Sequence, residues 1–235
     1  MRKNSEPIQS ISFSGCAWFL TYHLGVIRAV KRHQSTEDLI CLGASSGSVA
    51  ATVLAADMDP ERVFEKVCEF MDHASKRRMG PVGSMSRYVR TGLKELLPPT
   101  AYQDVGERLK ISISELPLVK NKILPQKPLK SNKELTKIIM GSCYIPIYYE
   151  RPVLYRGKPL VDGGLTDNVP ILNDQTVTVS PKPSLQSRPI DIGPKNERHL
   201  KYSLFPRREI IVDLYQQGFN DGEAYLSNPE EKDAG

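Results

Sequence analysis

A serine between two glycines is the first candidate for chemistry in this sequence. Gly43-Ala44-Ser45-Ser46-Gly47 matches the pattern G-x-S-x-G and lies between an apolar segment and a segment with helical spacing. Small neighbours let a serine stand at the tip of a tight strand-to-helix turn, and the dipole of the following helix favours negative charge there. The pattern predicts Ser45 as a nucleophile, with a plain glycine-flanked turn as the alternative.

A nucleophilic serine needs a base, and the sequence offers two arrangements. In Asp162-Gly163-Gly164, two glycines follow a carboxylate and allow a sharp turn with close backbone approach to another element. This turn would let Asp162 reach Ser45 directly, although the same tripeptide also suits a simple hairpin. His199 comes late enough in the chain to complete a Ser45–Asp162–His199 triad. A dyad and a triad are both open on this spacing.

The other histidines are weaker candidates for the base. His23 lies on an apolar helical face, which predicts packing in the core, while His33 and His73 stand beside charged helix ends, which predicts exposure. The chain before Ser45 is also short for an ordinary α/β-hydrolase, which places several strands before its nucleophile. This argues against the triad with His199.

Hydrophobic spacing predicts the elements that must position these residues. Residues 8–13 alternate as a strand does, and Phe19 to Val30 follow one helical face. Leu39 to Leu42 and the helix after Gly47 repeat this strand–turn–helix order. The repetition predicts an α/β layer fold with a largely parallel sheet.

Further elements follow from turn and capping signals. Asp59-Pro60 predicts a helix start, and Asn132 is a candidate cap for a later helix. The remaining predictions are a helix over 89–97, strands over 110–113 and 176–179, a hairpin at Arg156-Gly157, a loop over 124–133, an exposed excursion over 180–198, and a C-terminal helix over 207–226 interrupted at Gly218 and Gly222.

Composition narrows the class of protein. The 235 residues are 40% hydrophobic and 25% charged, which fits one globular domain. The net charge is +5, and the basic residues between Lys76 and Lys137 are scattered. This pattern argues against nucleic-acid binding and leaves contact with an anionic membrane surface open.

The compartment is predicted from the cysteines and the N-terminus. The four cysteines include no C-x-x-C pair, which predicts buried thiols in a reducing environment. Residues 1–10 lack the apolar core of a signal peptide, and no stretch reaches the ~18 apolar residues of a membrane span. We expect a cytoplasmic protein that is not secreted.

The order of the motifs resembles patatin-like phospholipases, in the animal branch that includes adiponutrin and adipose triglyceride lipase. The Ser45 motif followed by Asp162-Gly163-Gly164 is similar to the Ser–Asp dyad of that family. Further matching segments are residues 12–16, 22–26, 96–103, 142–146, 162–170, 176–181, 204–206 and 217–222. The resemblance predicts a domain over 8–227, a flexible N-terminus over 1–7 and a disordered acidic tail over 228–235.

The resemblance implies a fold and a chemistry. The fold would be a three-layer α/β/α sandwich with a mainly parallel central sheet. Ser45 would attack lipid acyl esters with Asp162 as general base, through an acyl-enzyme, and backbone N–H groups of Gly15, Cys16 and Ala17 would hold the oxyanion. Neither a metal nor a cofactor is implied. The substrates would be triacylglycerol, phospholipid or retinyl ester, met by peripheral contact with a membrane or lipid droplet.

The sequence departs from the family in the oxyanion turn. Where this branch commonly has Gly-Cys-Gly-x-x-Gly, the chain has Gly15-Cys16-Ala17-Trp18-Phe19-Leu20. Ala17 would be strained if its φ must be positive, and Leu20 adds bulk. A weakly active or non-catalytic lipid-surface binding protein is therefore the alternative function. Trp18, Phe19 and Leu20 would form an acyl-chain wall, a membrane-touching rim, or simply helix packing.

Overall fold

The computed structural model describes residues 7–182, 188–195 and 201–227. His199, residues 1–6 and the predicted acidic tail lie outside the described residues. The boundaries predicted for the domain and its two tails therefore stay predictions.

One sheet organises the described part of the chain. Its strands are β1 (Ser10–Phe13), β2 (Ile40–Ala44), β3 (Leu109–Glu115), β4 (Lys120–Leu124), β5 (Val153–Tyr155), β6 (Lys158–Val161) and β7 (Val177–Val179). The order is β5-β6-β3-β2-β1-β7, with β4 paired to β3 as well. The strands from β7 to β3 run parallel, whereas β4 and β6 are antiparallel to β3. The sheet is thus parallel across β7, β1, β2 and β3. On the far side of β3, the pairing is antiparallel.

The helices connect and cover these strands. They are α1 (Leu20–His33), α2 (Ser46–Ala55), α3 (Pro60–Ser75), α4 (Met85–Leu96), α5 (Ala101–Asp104), α6 (Asn132–Ser142), α7 (Lys201–Leu204) and α8 (Arg208–Ser227). Short helical turns occur at Ala17–Phe19 and Gly163–Leu165. The predicted α/β layer fold is confirmed, as a mixed sheet with helices on both sides. No helix among the described residues combines the length and apolar character needed to cross a membrane.

The parallel strands form the centre of the core. On β1, Ile11 and Phe13 are fully buried, and Phe13 packs edge-on against the ring of His23 in α1. Their pleated neighbours Ser10 and Ser12 are buried as well. Because both faces of β1 are covered, the strand is central, as its pairing with β2 and β7 requires.

Several local predictions are confirmed by the backbone. Asp59 caps α3, with its side chain accepting a hydrogen bond from the Glu61 N–H at 2.9 Å. The β5–β6 hairpin turns at Arg156 and Gly157, both with positive φ. Paired left-handed residues suit the twist of a two-residue hairpin.

One prediction at α6 is wrong. Ser131, rather than Asn132, is the N-cap, because the Ser131 side chain accepts from the Glu134 N–H. Asn132 instead donates to the Pro98 carbonyl at 2.7 Å and accepts from the Tyr102 N–H at 2.9 Å, so it holds a neighbouring loop. Strand β4 was also not predicted; its exposed Lys120 resembles loop sequence, yet the strand pairs with β3.

The exposed excursion predicted over 180–198 is wrong for part of its described residues. Ser180 and Ile192 are buried, and Ile192 forms a parallel bridge with Val179. The Asp191 carboxylate accepts both the N–H and the hydroxyl of Thr178, at 2.8 Å each. These bonds satisfy polar groups along the outer edge of β7.

The two glycines expected to interrupt the C-terminal helix instead hold it against α1. Helix α8 is continuous through Gly218 and Gly222. A Cβ at Gly218 would lie 2.0 Å from the Tyr22 carbonyl oxygen, and a Cβ at Gly25 would lie 2.0 Å from the Tyr215 carbonyl oxygen. Two helix backbones can approach this closely only where both present glycine.

Gly218→Ala should therefore destabilise the fold. Alanine favours a helix over glycine by ~1 kcal/mol, but its methyl group forces α8 away from α1. We expect the free energy of unfolding to fall by about 2 kcal/mol in urea denaturation. Gly92→Ala in α4 is the control, because its Cβ meets only the movable Phe70 ring at 3.2 Å. Equal stability of the two variants would refute the packing argument.

Candidate active site

Ser45 stands at the junction of β2 and α2 in a strained conformation. Its φ and ψ are 52° and −130°, a region that side chains other than glycine rarely adopt. The turn is held by the Ser45 N–H, which donates to the Ser142 hydroxyl at 2.9 Å, and by the Ser45 carbonyl, which accepts the Ser48 hydroxyl at 2.6 Å. Strain of this kind persists only where the surroundings fix it.

The flanking glycines are required by close packing. A Cβ on Gly47 would lie 2.1 Å from the Phe13 carbonyl oxygen, and one on Gly43 would lie 2.1 Å from the Gly47 carbonyl oxygen. The start of α2 is thereby pressed against the ends of β1 and β2. The glycines of the motif therefore allow the tight strand-to-helix turn that the pattern predicts.

Asp162 reaches the same place from the end of β6. Its N–H donates to the Tyr144 carbonyl at 2.9 Å, and its carbonyl accepts the Ser114 hydroxyl at 2.8 Å. Gly163 lies so close to β3 that a Cβ there would be 2.0 Å from the Ser112 carbonyl oxygen. The predicted close approach after the carboxylate is confirmed, and it is made against β3.

The structure brings Ser45 and Asp162 into direct contact. The Ser45 hydroxyl donates to Asp162 Oδ2 at 2.6 Å, and the Gly164 N–H donates to Asp162 Oδ1 at 2.8 Å. Burial raises the pKa of Asp162 from 3.8 to about 6, against the lowering effect of these hydrogen bonds. A carboxylate with a raised pKa binds a proton more readily, and at neutral pH it is still mostly ionised.

The turn expected to bind an oxyanion has three different N–H environments. Gly15 donates to Asn168 Oδ1 at 3.1 Å, and Cys16 donates to the Ser46 hydroxyl at 2.9 Å. The Ala17 N–H has no acceptor among the described residues. Ala17 has a φ of 52°, so the condition for strain stated from the sequence is met.

Two residues that hold this turn from other elements were not predicted from the sequence. The Asn168 side chain accepts from the Gly15 N–H and would obstruct a Cβ on Gly15 or Gly164, so it lies between the two turns. The Ser46 hydroxyl ties the Cys16 backbone to α2. Both lie inside the motifs given above: Ser46 directly follows Ser45, and Asn168 lies six positions after Asp162. Their proximity to those residues was the available signal.

The described histidines take no part in the Ser45–Asp162 contact. His23 is fully buried, as predicted, and burial lowers its pKa to about 4, so it is neutral. Its Nε2 lies 2.9 Å from the Ser14 carbonyl and 3.2 Å from Cys16 Sγ. His33 and His73 contact Glu223 and Tyr88. His199 lies outside the described residues, so the triad is untested.

An apolar cavity opens beside Ser45. Its volume is about 110 Å³, and it runs between α2, α3, α4 and the segment before β5. The side chains along it are almost all apolar; they include Leu20, Val49, Val53, Val63, Val67, Phe70, Leu93, Leu96 and Ile145. Lys66 is the charged exception, and its ammonium group is held by Glu69 and Glu95. The lining has the apolar chemistry that suits a hydrocarbon chain.

The Trp18 region forms part of this cavity. Trp18 is only 5% exposed, and its Nε1 donates to the Tyr148 hydroxyl at 2.9 Å. Trp18 and Leu20 both line the cavity, whereas Phe19 is fully buried. The acyl-wall interpretation fits Trp18 and Leu20, core packing fits Phe19, and burial argues against a membrane-touching rim here.

A serine on a strained strand-to-helix turn, bonded to a buried carboxylate, is the arrangement of a serine hydrolase. Comparison with known proteins agrees: residues 11–173 match the family model of the patatin-like phospholipases. The chain therefore belongs to the patatin-like phospholipase family.

Several curated relatives extend this match. Human patatin-like phospholipase domain-containing protein 4 is 30% identical, over 92% of this chain and 96% of the relative. The bovine domain-containing protein 2 is 28% identical, over 94% of this chain and 50% of the relative. The human 1-acylglycerol-3-phosphate O-acyltransferase PNPLA3 is 29% identical, over 76% of this chain and 38% of the relative. The chain thus spans nearly all of the first relative and half or less of the others.

A solved structure supports the fold alone. VipD from Legionella pneumophila matches with a TM-score of 0.57 at 11% identity, over 94% of this chain and 67% of that one.

Replacing Asp162 with asparagine should change how stability depends on pH. Because burial raises the pKa of Asp162 from 3.8 to about 6, folding favours its protonated form. That contribution is present below the unfolded pKa and is lost as the pH rises through the folded pKa. Between pH 3.8 and about 6, the free energy of unfolding of the wild type should fall by up to about 3 kcal/mol relative to that of Asp162→Asn. Urea denaturation at a series of pH values measures the difference.

The matched control is Asp174→Asn, which removes an exposed carboxylate. Its stability should follow the wild-type pH dependence closely. If Asp162→Asn also runs parallel to the wild type across this window, the raised pKa is refuted.

Proposed function

We propose that this chain hydrolyses acyl esters of lipids, with Ser45 as nucleophile and Asp162 as its general base. The observation that carries the proposal is the 2.6 Å hydrogen bond from the Ser45 hydroxyl to Asp162 Oδ2, beside a cavity of apolar side chains. The bond is short enough for direct proton transfer. The cavity gives the acyl chain a place out of water.

The reaction follows from these positions. Asp162 takes the proton of Ser45 as its Oγ attacks the ester carbonyl carbon, which forms a tetrahedral intermediate. The intermediate collapses to an acyl-serine, and the leaving alcohol receives the proton from Asp162. A water molecule then gives its proton to Asp162 as it attacks the acyl-serine. Breakdown of the second intermediate returns the proton to Ser45 and releases the fatty acid.

The oxyanion needs N–H donors that are free when the intermediate forms. Among Gly15, Cys16 and Ala17, the Ala17 N–H is the one without an acceptor in the described structure. We assign it as the main donor. The strain of its positive φ, on the order of 1–2 kcal/mol, is then the energetic cost of aiming that group. Gly15 and Cys16 hold the turn through Asn168 and Ser46.

The proposed substrates are esters of long-chain fatty acids. Triacylglycerol, phospholipid and retinyl ester all carry a long acyl chain that suits the cavity. One relative is named as an acyltransferase, in which an alcohol takes the place of water as acceptor of the acyl group. The same acyl-serine would serve both outcomes. We also propose peripheral contact with a membrane or droplet, since such substrates reside there.

A lipid-binding protein without catalysis is the second candidate function. The feature that favours it is Ala17, because this residue carries a Cβ at a positive φ in a turn where the family commonly has glycine. The intact contact between Ser45 and Asp162 supports the enzyme more strongly, since binding alone does not require it.

Substitution of the two proposed catalytic residues separates these functions. Ser45→Ala should abolish release of fluorophore from a water-soluble short-chain ester, because no nucleophile remains. Asp162→Asn should lower kcat by about 10²–10⁴-fold, since the general base is lost. His199→Ala is the control that distinguishes the dyad from the triad, and it should keep wild-type activity. Loss of activity in that control would support the triad, and activity that survives Ser45→Ala would sink the proposal.

Filling the cavity should change the preferred chain length. Val67 lies on α3 and lines the cavity, while the nucleophile stands at the start of α2. Val67→Trp should lower kcat/KM for long-chain esters by at least about tenfold, because bulk there excludes several methylene groups at ~0.8 kcal/mol each. Short-chain esters should be little affected. Val212→Trp, on the exposed side of α8, is the control and should change neither.

A further inference from the structure

The loop between α6 and β5 carries an exposed and strained isoleucine. Ile145, Tyr148 and Tyr149 in this loop line the acyl cavity. Ile147, between them, is 85% exposed and has a φ of 73°. A positive φ is a genuine outlier for a β-branched residue, and strain of this kind concentrates at functional sites. The loop therefore forms the cavity wall on one side and presents Ile147 to the outside.

Two other segments meet this loop at Tyr148. The Tyr148 hydroxyl donates to the Leu204 carbonyl at 2.7 Å, and the Tyr148 carbonyl accepts the Gly83 N–H at 3.1 Å. The turn before α4 and the end of α7, which Phe205 directly follows, are thereby fixed around one residue of the cavity wall.

Each of these segments also exposes a large apolar side chain. Met79 is 65% exposed, and Phe205 is 53% exposed. The two segments lie close together, because a Cβ placed on Gly80 would lie 3.8 Å from Phe205 Cδ1. Met79, Ile147 and Phe205 therefore stand on three connected segments beside the cavity. We call these three residues the docking surface.

The docking surface is bordered by positive charge. Lys76, Arg77 and Arg78 directly precede Met79 and are exposed. None of them forms an ion pair within the described part of the chain. Arg207 follows Phe205 closely and lies over the Tyr202 ring, 5.2 Å from its centroid. Apolar side chains beside unpaired cations match the chemistry of an anionic lipid layer, which combines negative headgroups with hydrocarbon.

We propose that Met79, Ile147 and Phe205, with Lys76, Arg77 and Arg78, dock the protein on an anionic phospholipid layer. This inference rests on the proposed function, since it places the wall of the acyl cavity against the lipid. Trp18 then supports the docking surface from within, through its hydrogen bond to Tyr148, instead of touching the membrane itself. Strain at Ile147 holds its side chain outward, where it enters the layer.

Vesicle co-sedimentation tests the proposal independently of catalysis. Ser45→Ala protein is mixed with vesicles of phosphatidylcholine, or of phosphatidylcholine with phosphatidylserine. We expect tighter binding to the anionic vesicles. In this background, Ile147→Asn should weaken binding by at least about tenfold, because an apolar side chain no longer enters the layer. Asparagine is chosen because it tolerates a positive φ.

A charge variant and a matched control complete the design. Arg77→Gln with Arg78→Gln should weaken binding to anionic vesicles roughly 30-fold, at about 1 kcal/mol per cation. Leu118→Asn removes a 71% exposed leucine at the tip of the β3–β4 hairpin and should bind like the parent protein. With Ser45 intact, all of these variants should hydrolyse a water-soluble ester at the wild-type rate, which shows that they are folded.

Three outcomes would overturn the docking surface. The first is an absence of binding to either vesicle, which would leave a protein partner for the exposed residues. The second is binding that is unchanged by both variants. The third is binding that depends on the two arginines but not on Ile147. Failure of the proposed function is a separate result, because it appears as missing ester hydrolysis while vesicle binding is intact.

Discussion

A carboxylate that acts directly on a serine has to leave water, although leaving water disfavours its charge. Asp162 is buried, and hydrogen bonds from the Ser45 hydroxyl and the Gly164 N–H offset part of that penalty. Neither donor would be in range without backbones that approach more closely than side chains normally allow. The rest of the site can be understood as the packing that maintains this approach.

Strand β3 is the common support of both halves of the pair. The Ser142 hydroxyl accepts the Ser45 N–H and donates to the Ser112 carbonyl, so the nucleophile turn is tied to β3. The Ser114 hydroxyl on the same strand binds the Asp162 carbonyl. Serine is suited to these positions because a buried hydroxyl can accept and donate at once. A displacement of β3 would therefore move both reacting groups together, which preserves their separation.

The sequence was informative where a property is local. Capping at Asp59, the hairpin at Arg156 and the glycine pattern around Ser45 depend on a few neighbouring residues, and each was predicted. The position of Asp162 near Ser45 came from the order of motifs along the chain, since no local pattern joins residues so far apart. The domain limits and the catalytic roles themselves remain predictions.

The failures have physical causes in the contacts between elements. Strand β4 was not predicted, because its exposed Lys120 gives no hydrophobic signal, and an edge strand leaves such a side chain in water. Asn132 has the chemistry of a helix cap and is used by another loop instead. The partner of Asn132 is distant in sequence, whereas β4 is defined by its pairing with the strand directly before it. Contacts of that kind are decided by packing, which periodicity does not describe.

The pairing of α1 with α8 has a consequence for how the protein is made. Both helices present glycine at their contact, and they are separated by most of the chain. As the ribosome synthesises the protein, α1 emerges early with its glycine-containing face uncovered. That face is closed only after α8 has left the exit tunnel, so folding finishes after translation of the domain.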